Sequence, residues 1–441
     1  MRKGEKMERS YENERCVLGS HDPSMMWDPV TRKHYSYSTD VYMPQFGLND
    51  KIGIPVRSSI DLVHFTYEGV VLSKASIEEG RNNGSDPKTV NFWAPYVEYV
   101  EGEYRMYYSA TKAFGSDESK IWLATAKSPT GPFENRGIVM NSWGLVGNHP
   151  NAIDAHVIWD GEIPWLLYGS FFGGIYIKKL DRKTGLPESH DEKELGSCIS
   201  RKGVNASLDG PEGASILYEK DTGYFYLFQS YGWLGDTYDI RVGRSKKVTG
   251  PYLDEKGKNL VEESLGMKIA NSYRFSEEEN IPLEKDAGWQ WAGFRGPGHG
   301  IPYWDPNTQQ YYFVHHIRDG ATIYCTYDEK EKRNSYSKHF MMVRKMFFKN
   351  GWPMLSPEPY YGEANEFLCP EEVEGKWEII YFTDQSNEQK QGEKVTLYAD
   401  DPMLQDGIIH WGFDGNHRVI CVTGIDAKGI AYWGKKCSIE R

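Results

Sequence analysis

The feature of this 441-residue sequence that most constrains its fold is a loose repeat that occurs five times. Each copy pairs a short apolar segment with an aromatic segment across a Gly, Asp or Asn turn, and ends near Ser or His. The copies read DPSMMWDPVTRKHYSYS, APYVEYVEGEYRMYYS, DAHVIWDGEIPWLLYGS, EGASILYEKDTGYFYLFQS and HGIPYWDPNTQQYYFVHH. Their first and last residues are 16, 15, 16, 18 and 17 positions apart. This shared spacing predicts one supersecondary unit used five times.

Each copy is followed by a third and, in most cases, a fourth strand-like segment, and no stretch sustains a helical apolar period. Four-stranded sheets repeated radially form a β-propeller. We therefore predict an all-β protein with an N-terminal extension over residues 1–16 and a five-bladed β-propeller over residues 17–360. Residues 361–441 carry a different β pattern, which predicts a small C-terminal β-barrel domain.

Charge and composition limit the partners of such a chain. The formal net charge is −12, which disfavours binding to nucleic acid and to anionic membrane surfaces. The sequence contains no run of eighteen apolar residues, so it predicts no transmembrane helix. The six cysteines show no CxxC spacing, so neither a zinc site nor a dense disulfide framework is indicated. The aromatic excess suits either a stacked carbohydrate or a β-sheet core. No secretory signal begins the chain as given, so we expect a cytoplasmic protein, or a secreted one if a leader was removed. The sequence leaves the oligomeric state open.

The first position of each copy carries the candidate chemistry. These positions hold Asp22, Ala94, Asp154, Glu212 and His299, and in a propeller they approach the axis at one mouth of the channel. Three converging carboxylates without a basic neighbour should include one with a raised pKa, which gives an acid and a base. Inverting glycoside hydrolysis needs such a pair, roughly 6.5–9.5 Å apart. Ordinary Asp-Pro and Asp-Gly turn chemistry is the alternative for each aspartate taken alone.

Other residues are candidates for binding. Trp93 and the Phe114-Gly115 pair could stack on a sugar or approach it by backbone, although Trp93 could equally be core. Ser170, Phe171 and Phe172 would reach the same mouth if they are more than a hairpin turn. His299 is either a hydrogen-bonded core histidine or a cation ligand, and His156, His315 and His316 are most simply packing or polar channel lining.

Several motifs taken together resemble glycoside hydrolase family 43, in particular its endo-1,5-α-L-arabinanases. They are HDPS, FWAPYV, MYYSAT, NAIDAHVIWDG, YGSFFGGIY, GPEGA, RSKKVTGPY, GPGHG and GWPMLSPEPY, and they span residues 21–360. The chain departs from the family pattern at His64, where a Trp is common, and in long inserts around residues 78–90 and 260–292.

The resemblance implies an inverting hydrolase that cleaves internal α-1,5-L-arabinofuranosidic bonds of arabinan. It implies Asp22 as general base, Glu212 as general acid and Asp154 as the carboxylate that orients the acid and tunes its pKa. It also implies a calcium ion near His299, held largely through waters, and a C-terminal barrel like that of the two-domain arabinanases. The implied substrate groove comprises Trp93, Phe114, Gly115, Asn151, Ala152, Ile153, Ser170, Phe171 and Phe172.

Two alternatives stay open. An exo-acting α-L-arabinofuranosidase or β-xylosidase of the same family would have a pocket closed at one end, which the long inserts could produce by narrowing the groove. A non-catalytic carbohydrate-binding propeller would have no need for three converging carboxylates.

Overall fold

The structure is a computed structural model that describes residues 16–40, 52–82, 92–203, 208–275, 293–319, 325–328, 333–336, 339–364, 366, 368–383, 388–414 and 418–437. Much of the two inserts, residues 83–91 and 276–292, therefore lies outside the described residues, as do residues 1–15 of the N-terminal extension. Strands dominate the described chain, which confirms the all-β class. None of the helices within these ranges is long and apolar enough to cross a membrane.

The first four repeats each form a separate four-stranded antiparallel sheet, with the strands paired in chain order. Sheet 1 contains β1 (Ser24–Asp28), β2 (Lys33–Tyr37), β3 (Pro55–Ser59) and β4 (Phe65–Val70). Sheet 2 contains β5 (Phe92–Val100), β6 (Glu103–Thr111), β7 (Ser119–Ala126) and β8 (Glu134–Asn141). Sheet 3 contains β9 (His156–Asp160), β10 (Ile163–Tyr168), β11 (Ile175–Lys179) and β12 (Ser197–Ser200). Sheet 4 contains β13 (Glu212–Glu219), β14 (Tyr224–Tyr231), β15 (Asp239–Ser245) and β16 (Met267–Ala270).

The fifth repeat forms a larger sheet, and the C-terminal segment forms another. Sheet 5 contains β17 (Tyr273–Arg274), β18 (Phe294–Asp305), β19 (Gln310–Asp319), β22 (His339–Lys349), β23 (Trp352–Leu355) and β25 (Lys390–Gln391), with β20 (Cys325–Asp328) and β21 (Arg333–Tyr336) as a separate hairpin. The C-terminal sheet contains β24 (Gly375–Tyr381), β26 (Glu393–Leu397), β27 (Ile408–Phe413), β28 (Arg418–Ile425) and β29 (Ala431–Lys436). Short helices are α1 (Lys74–Asn82), α2 (Pro370–Val373) and α3 (Pro402–Asp406).

The turn between the first two strands of a sheet is encoded by an acid followed three residues later by threonine. Asp28 accepts the backbone N–H of Thr31 at 2.8 Å, and Glu219 accepts that of Thr222 at 2.7 Å. In sheet 5, Asp305 accepts the hydroxyl of Thr308 at 2.7 Å. Side chains of this kind hold a tight turn by binding its free backbone donors. The repeat therefore carries its own hairpin signal in sheets 1, 4 and 5.

The hydrophobic core is divided into clusters that lie between successive sheets. Tyr37 of sheet 1 shares a cluster with Met106 of sheet 2, and Leu123 of sheet 2 shares one with Leu166 of sheet 3. Similar clusters join sheet 3 to sheet 4, and sheets 4, 5 and 1 to one another. Burying one large apolar side chain contributes roughly 1.5–3 kcal/mol. Each of the five sheets is therefore stabilised by apolar contacts with its neighbours.

The N-terminal segment connects the first sheet to the fifth. The N–H of Gly19 donates to the carbonyl of His339 at 2.9 Å, and the N–H of Met341 donates to the carbonyl of Val17 at 3.2 Å. Residues 17–19 thus pair with the edge of β22 immediately before the chain enters sheet 1. The two ends of the repeat region are joined by backbone hydrogen bonds.

Two buried basic residues of β22 hold the C-terminal segment against sheet 5. The guanidinium of Arg344 donates to the carbonyl of Pro357 at 2.6 Å and lies over the ring of Trp433, 4.9 Å from its centroid. The ammonium of Lys345 lies 3.0 Å from a carboxylate oxygen of Glu363, and both side chains are at most 5% exposed. The C-terminal sheet is therefore fixed to the repeat region by desolvated charges as well as by apolar contacts.

We predict that Lys345→Met destabilises the protein by about 3–5 kcal/mol, because it leaves the Glu363 carboxylate buried without its counter-charge. The thermal unfolding midpoint measures this effect. The double variant Lys345→Met/Glu363→Leu should recover most of the loss. Lys202→Met, which breaks an exposed pair with Asp209 at 2.9 Å, should cost less than about 1 kcal/mol. Equal effects of the two single variants would contradict the prediction.

Candidate active site

In each of the five repeats, a residue in the left-handed backbone conformation lies in or just before the first strand of the repeat. These residues are Asp22, Ala94, Asp154, Gly213 and His299, with φ between 44° and 61°. For a residue other than glycine this conformation costs of order 1–3 kcal/mol and persists only where the surrounding structure determines it. Four of the five residues are those that the repeat alignment places first in each copy.

The alignment of the fourth copy needs a correction. Its left-handed residue is Gly213, not Glu212, and a Cβ at Gly213 would lie 2.9 Å from the Cα of His299, so only glycine fits there. The interval from Gly213 to Ser230 is 17, which removes the one outlying spacing of 18. Glu212 therefore lies one residue before the left-handed position of its repeat. Asp22 and Asp154, in contrast, are themselves the left-handed residues of their repeats.

Side chains from the end of each second strand bind the left-handed residue of the next sheet. The hydroxyl of Thr39 accepts the N–H of Ala94 at 2.8 Å, and that of Ser109 accepts the N–H of Asp154 at 3.3 Å. The hydroxyl of Ser230 accepts the N–H of His299 at 2.9 Å.

Two further bonds complete the series. The N–H of Gly213 donates to Oδ2 of Asp154 at 3.0 Å, which joins sheet 4 to sheet 3. The N–H of Asp22 donates to Nδ1 of His316 at 3.3 Å, which joins sheet 1 to sheet 5. Every successive pair of sheets is thus connected at this site, including the last and the first. The imidazole of His316 is therefore the hydrogen-bond acceptor in this connection, whereas a hydroxyl is the acceptor in three of the others.

Asp22 lies among hydrogen-bond donors and histidines. Its Oδ1 lies 2.9 Å from Nδ1 of His21 and 3.3 Å from Nδ1 of His299, and its Oδ2 accepts the hydroxyl of Thr39 at 2.6 Å. Burial alone would raise the pKa of Asp22, but the charges of His21 and His299 and the hydrogen bond from His21 hold it well below its ordinary value. Asp22 is therefore an ionised carboxylate.

The expectation that no basic residue accompanies the carboxylates is wrong. His21 lies one residue before the first copy, and His316, the last residue of the fifth copy, was interpreted as packing or channel lining. His21 stacks on His316 with ring centroids 3.9 Å apart, and Nη2 of Arg318 lies 3.3 Å from Nε2 of His21. These basic side chains all lie on the side of Asp22.

Asp154 and Glu212 have the opposite electrostatic environment. Burial raises the pKa of Asp154 to about 6; the charge of Asp22 adds to this rise, while His299 and the Gly213 N–H oppose it. Burial, followed by the negative charge of Asp154, raises the pKa of Glu212 well above its ordinary value. Glu212 is therefore protonated under conditions in which Asp22 is ionised. One cluster holds a carboxylic acid and a carboxylate.

Two hydroxyl groups bind the carboxyl group of Glu212. The Ser170 hydroxyl donates to Oε2 at 2.9 Å, as the prediction for Ser170 allows. The Tyr238 hydroxyl donates to Oε1. Sequence reasoning missed both Tyr238 and Thr39, since neither occupies the first position of a repeat. The position of Thr39, one residue beyond the aromatic strand of the first copy, was the available signal.

The predicted aromatic groove residues of sheet 2 contact each other. Trp93 immediately precedes Ala94, and its ring centroid lies 6.3 Å from that of Phe114 in an edge-to-face arrangement. Phe114 is 73% exposed, and a Cβ at the neighbouring Gly115 would meet nothing within 4 Å. These three residues form an accessible apolar rim.

Sheets 3 and 4 add to the exposed aromatic surface. The N–H of Phe171 donates to the carbonyl of Pro211 at 2.9 Å, directly before Glu212 in the chain. Phe172 is 52% exposed. Trp233, which was not predicted, is 45% exposed in the loop after β14, three residues after Ser230.

The stretch from Asn151 to Ile153 is more buried than a groove lining requires. The side-chain N–H of Asn151 donates to the carbonyl of Ser116 at 3.0 Å. The Ala152 side chain is fully buried in the core between sheets 2 and 3, and Ile153 is 7% exposed. A groove role for Ala152 would thus have to use its backbone.

The donor atoms around Asp22 limit how this site could hold a metal ion. His21, Asp22 and His316 could offer ligand atoms within 4.8 Å of one another. Nδ1 of His21, however, lies 2.9 Å from Asp22, and Nδ1 of His316 accepts the Asp22 N–H, so both nitrogens serve to bind Asp22. Nε2 of His299 has no hydrogen-bond partner among the described residues, while its Nδ1 faces Asp22. A single imidazole nitrogen fits an ion that takes its other ligands from water, and does not form a protein cage.

The chain is similar to known proteins in both sequence and structure. The sequence model of glycosyl hydrolases family 43 matches residues 19–353. A Thermotoga petrophila protein named extracellular endo-α-(1→5)-L-arabinanase is 30% identical, covering 94% of this chain and 93% of its own length. A Bacillus subtilis protein named extracellular endo-α-(1→5)-L-arabinanase 2 is 33% identical, covering 65% of this chain and 61% of its own. A crystal structure of endo-1,5-α-L-arabinanase from Thermotoga petrophila superimposes with a TM-score of 0.77 at 26% identity, covering 96% of this chain and 99% of that one.

These names correct one expectation. The absence of a secretory signal in the chain as given led us to expect a cytoplasmic protein. Both sequence relatives are named extracellular, which points to secretion instead. The start of a sequence is a weak guide to location, because a leader is removed from the mature protein.

We predict that Asp154→Asn is more stable than the unmodified protein at pH 8 and not at pH 4. The raised pKa of about 6 means that the folded state binds this proton more tightly than the unfolded chain, so stability falls as pH rises through about 4 to 6. Asparagine stays neutral and can still accept the Gly213 N–H. Thermal midpoints at the two pH values measure the difference.

The matched control is Asp28→Asn, for which the sign is reversed. Burial opposes the shift, but hydrogen bonds from Thr31, Tyr104 and Val30 lower the pKa of Asp28, so its carboxylate stabilises the fold at neutral pH and loses this effect on acidification. This variant should be less stable than the unmodified protein at pH 8, by a margin that shrinks at lower pH. Parallel behaviour of the two variants would contradict the assignment for Asp154.

Proposed function

The chain belongs to glycosyl hydrolases family 43, and we propose that it cleaves internal α-1,5-L-arabinofuranosidic bonds of arabinan with inversion at the anomeric carbon. The observation that carries this proposal is the division of protonation between Asp22, with a lowered pKa, and Glu212, with a raised pKa. Inverting hydrolysis requires a carboxylate on one side of the scissile bond and a carboxylic acid on the other.

The arrangement of the sheets is consistent with the same function. We propose that sheets 1 to 5 are the blades of a propeller spanning residues 17–360, followed by a small barrel domain over residues 361–441. The hydrogen bonds between every successive pair of sheets support this arrangement, and so does the pairing of residues 17–19 with β22. In such a ring the first strands converge, which is where the three carboxylates lie.

In the proposed reaction, Asp22 is the general base. Its ionised carboxylate accepts a proton from a water molecule, whose oxygen attacks the anomeric carbon from the face opposite the leaving group. The hydroxyl of Thr39 and the imidazole of His21 hold the carboxylate in place. A low pKa keeps Asp22 ionised throughout the neutral range.

Glu212 is the proposed general acid. Its carboxylic proton passes to the glycosidic oxygen as the bond to the anomeric carbon breaks, so that the leaving sugar departs as an alcohol. Asp154 does not transfer this proton; its negative charge raises the pKa of Glu212 and so keeps the acid protonated before each turnover. Exchange with solvent then returns a proton to Glu212 and removes one from Asp22.

The substrate class follows from the relatives and from the accessible aromatic surface. Two relatives are named endo-α-(1→5)-L-arabinanases. Phe114, Phe172 and Trp233 expose ring faces in the loops after the second strands of sheets 2, 3 and 4. Such rings can stack on sugar faces. We assign Trp93, Gly115, Ser170 and Phe171 to the same groove.

We further propose that His299 binds a calcium ion through one nitrogen and water molecules. The unpartnered Nε2 supports this assignment, whereas the nitrogens nearest Asp22 are already used. When bound, the ion supplies positive charge that stabilises the ionised Asp22. His299 in turn orients Asp22 from 3.3 Å.

We predict that linear arabinan yields a ladder of oligosaccharides at early times. Sizing the products over time, with branched arabinan, arabinoxylan and xylan in parallel, measures both substrate and mode. Products limited from the start to monomer or dimer would instead indicate exo attack. Binding without any product would indicate a non-catalytic protein.

We predict that Glu212→Gln loses about 10²–10⁴-fold in turnover of arabinan and much less on an aryl arabinofuranoside, whose leaving group departs without a proton. The matched control is Glu98→Gln, because Glu98 is also buried with a raised pKa, of about 7, but bonds to Trp159. This control should keep activity on both substrates. Equal losses by Glu212→Gln on both would contradict its role as acid.

We predict that Asp22→Asn loses turnover on both arabinan and the aryl substrate, because activation of water is needed whatever the leaving group. Steady-state rates on the two substrates measure this. Retained activity on either substrate would remove Asp22 as the base.

We predict that chelation of calcium from the protein lowers the thermal midpoint or the activity, and that added calcium restores it. The variant His299→Ala should no longer respond to chelation. An unmodified protein that is indifferent to chelation would leave His299 with a structural role only.

A further inference from the structure

We propose that Tyr238 is a positioning residue that holds the carboxyl group of Glu212 for proton transfer. The proposal rests on the proposed function, in which Glu212 is the general acid. It concerns a residue outside the repeat positions and outside every motif that suggested the family. Tyr238 lies immediately before β15, in the segment that crosses from the loop after β14.

The hydrogen bonds to Glu212 determine what its own proton can do. Tyr238 donates to Oε1, and Ser170 donates to Oε2 at 2.9 Å. With both oxygens accepting from protein hydroxyls, the carboxylic O–H is not used within the protein and is available to the glycosidic oxygen. Once that proton has left, the same two donors stabilise the carboxylate that remains. Tyr238 therefore acts both before and after the transfer.

The phenol ring of Tyr238 is held rigidly. The residue is 3% exposed, and its ring stacks on that of His316 with centroids 5.8 Å apart and an interplanar angle of 25°. On the other side, a Cβ at Gly298 would lie 2.0 Å from Cδ2 of Tyr238. Gly298, which immediately precedes His299 in the GPGHG motif, thus leaves space for the Tyr238 ring.

The backbone on both sides of Tyr238 is fixed as well. Its N–H donates to the carbonyl of Trp233 at 3.1 Å, which closes the loop after β14. The next residue, Asp239, accepts two hydrogen bonds from Arg241, at 2.9 and 2.8 Å, and lies 3.1 Å from Nζ of Lys268. All three of these charged side chains are at most 2% exposed. A hydroxyl carried on so constrained a segment can fix the direction of the Glu212 carboxyl group.

The test is Tyr238→Phe, which removes the hydroxyl and keeps the ring. We expect kcat on linear arabinan to fall about ten- to a hundred-fold, since one hydrogen bond to a charged group is lost, with KM changed less than about threefold. On an aryl arabinofuranoside with a good leaving group the loss should be several-fold smaller. This is the pattern expected for Glu212→Gln, in weaker form.

The matched control is Tyr252→Phe. Tyr252 is also fully buried, and its hydroxyl donates to the carbonyl of Val248 at 2.8 Å. Tyr252 belongs to the core between sheets 3 and 4. Its substitution by phenylalanine removes a comparable hydrogen bond and leaves the hydrogen bonds of Glu212 unchanged. Its rates on both substrates should match those of the unmodified protein, and thermal midpoints should show that both variants are folded.

The outcomes separate the two proposals. A larger loss on arabinan than on the aryl substrate for Tyr238→Phe, absent in Tyr252→Phe, supports the positioning role. Equal losses on both substrates, a change in KM alone, or the same pattern in Tyr252→Phe would overturn it. If Glu212→Gln itself shows no dependence on the leaving group, the assignment of the acid fails; if only Tyr238→Phe lacks it, this inference fails alone.

Discussion

The structure depends on one repeated hydrogen bond, in which the N–H of a residue with a left-handed backbone donates to a side chain of the preceding sheet. In the first sheet the donor is Asp22 and the acceptor is His316, 294 positions away in the chain. Asp154 acts twice, as donor to Ser109 and as acceptor from Gly213. Non-glycine residues adopt this backbone conformation only where their surroundings determine it. The bonds that connect the sheets therefore also place two of the three carboxylates, so architecture and site share the same atoms.

The chemistry follows from an unequal distribution of charge around three buried carboxyl groups. Burial acts on all of them in one direction, toward a higher pKa. Histidines on the side of Asp22 reverse the effect there, while Glu212 has hydroxyl groups and the charge of Asp154 as neighbours. Residues of one chemical class thereby take opposite protonation states within one cluster. Burial of the ionised Asp154 carboxylate lowers the free energy of unfolding, a cost that is common where function needs a destabilised group.

The repeat in the sequence was sufficient to predict the all-β class, because the turn signals are local. The acid and threonine of the first hairpin, such as Asp28 and Thr31, bind within four residues. The same spacing placed Asp22, Asp154 and His299 correctly and missed by one residue in the fourth copy. There Gly213 occupies the left-handed position because of the close approach of His299, a contact that no local pattern records. His21, Thr39 and Tyr238 were missed for the same reason.

The sequence by itself determined which segments become strands, which residues turn the chain, and that acids recur at a fixed place in the repeat, since each of these depends on neighbours within about twenty positions. Only the tertiary structure decided which acid is ionised and which is protonated. A pKa depends on burial and on charges within a few ångströms. His299 and His316 reach Asp22 from the far end of the chain, and Tyr238 reaches Glu212 from the next strand but one. The folding of the chain brings these groups together, and their proximity sets the protonation of each carboxyl group.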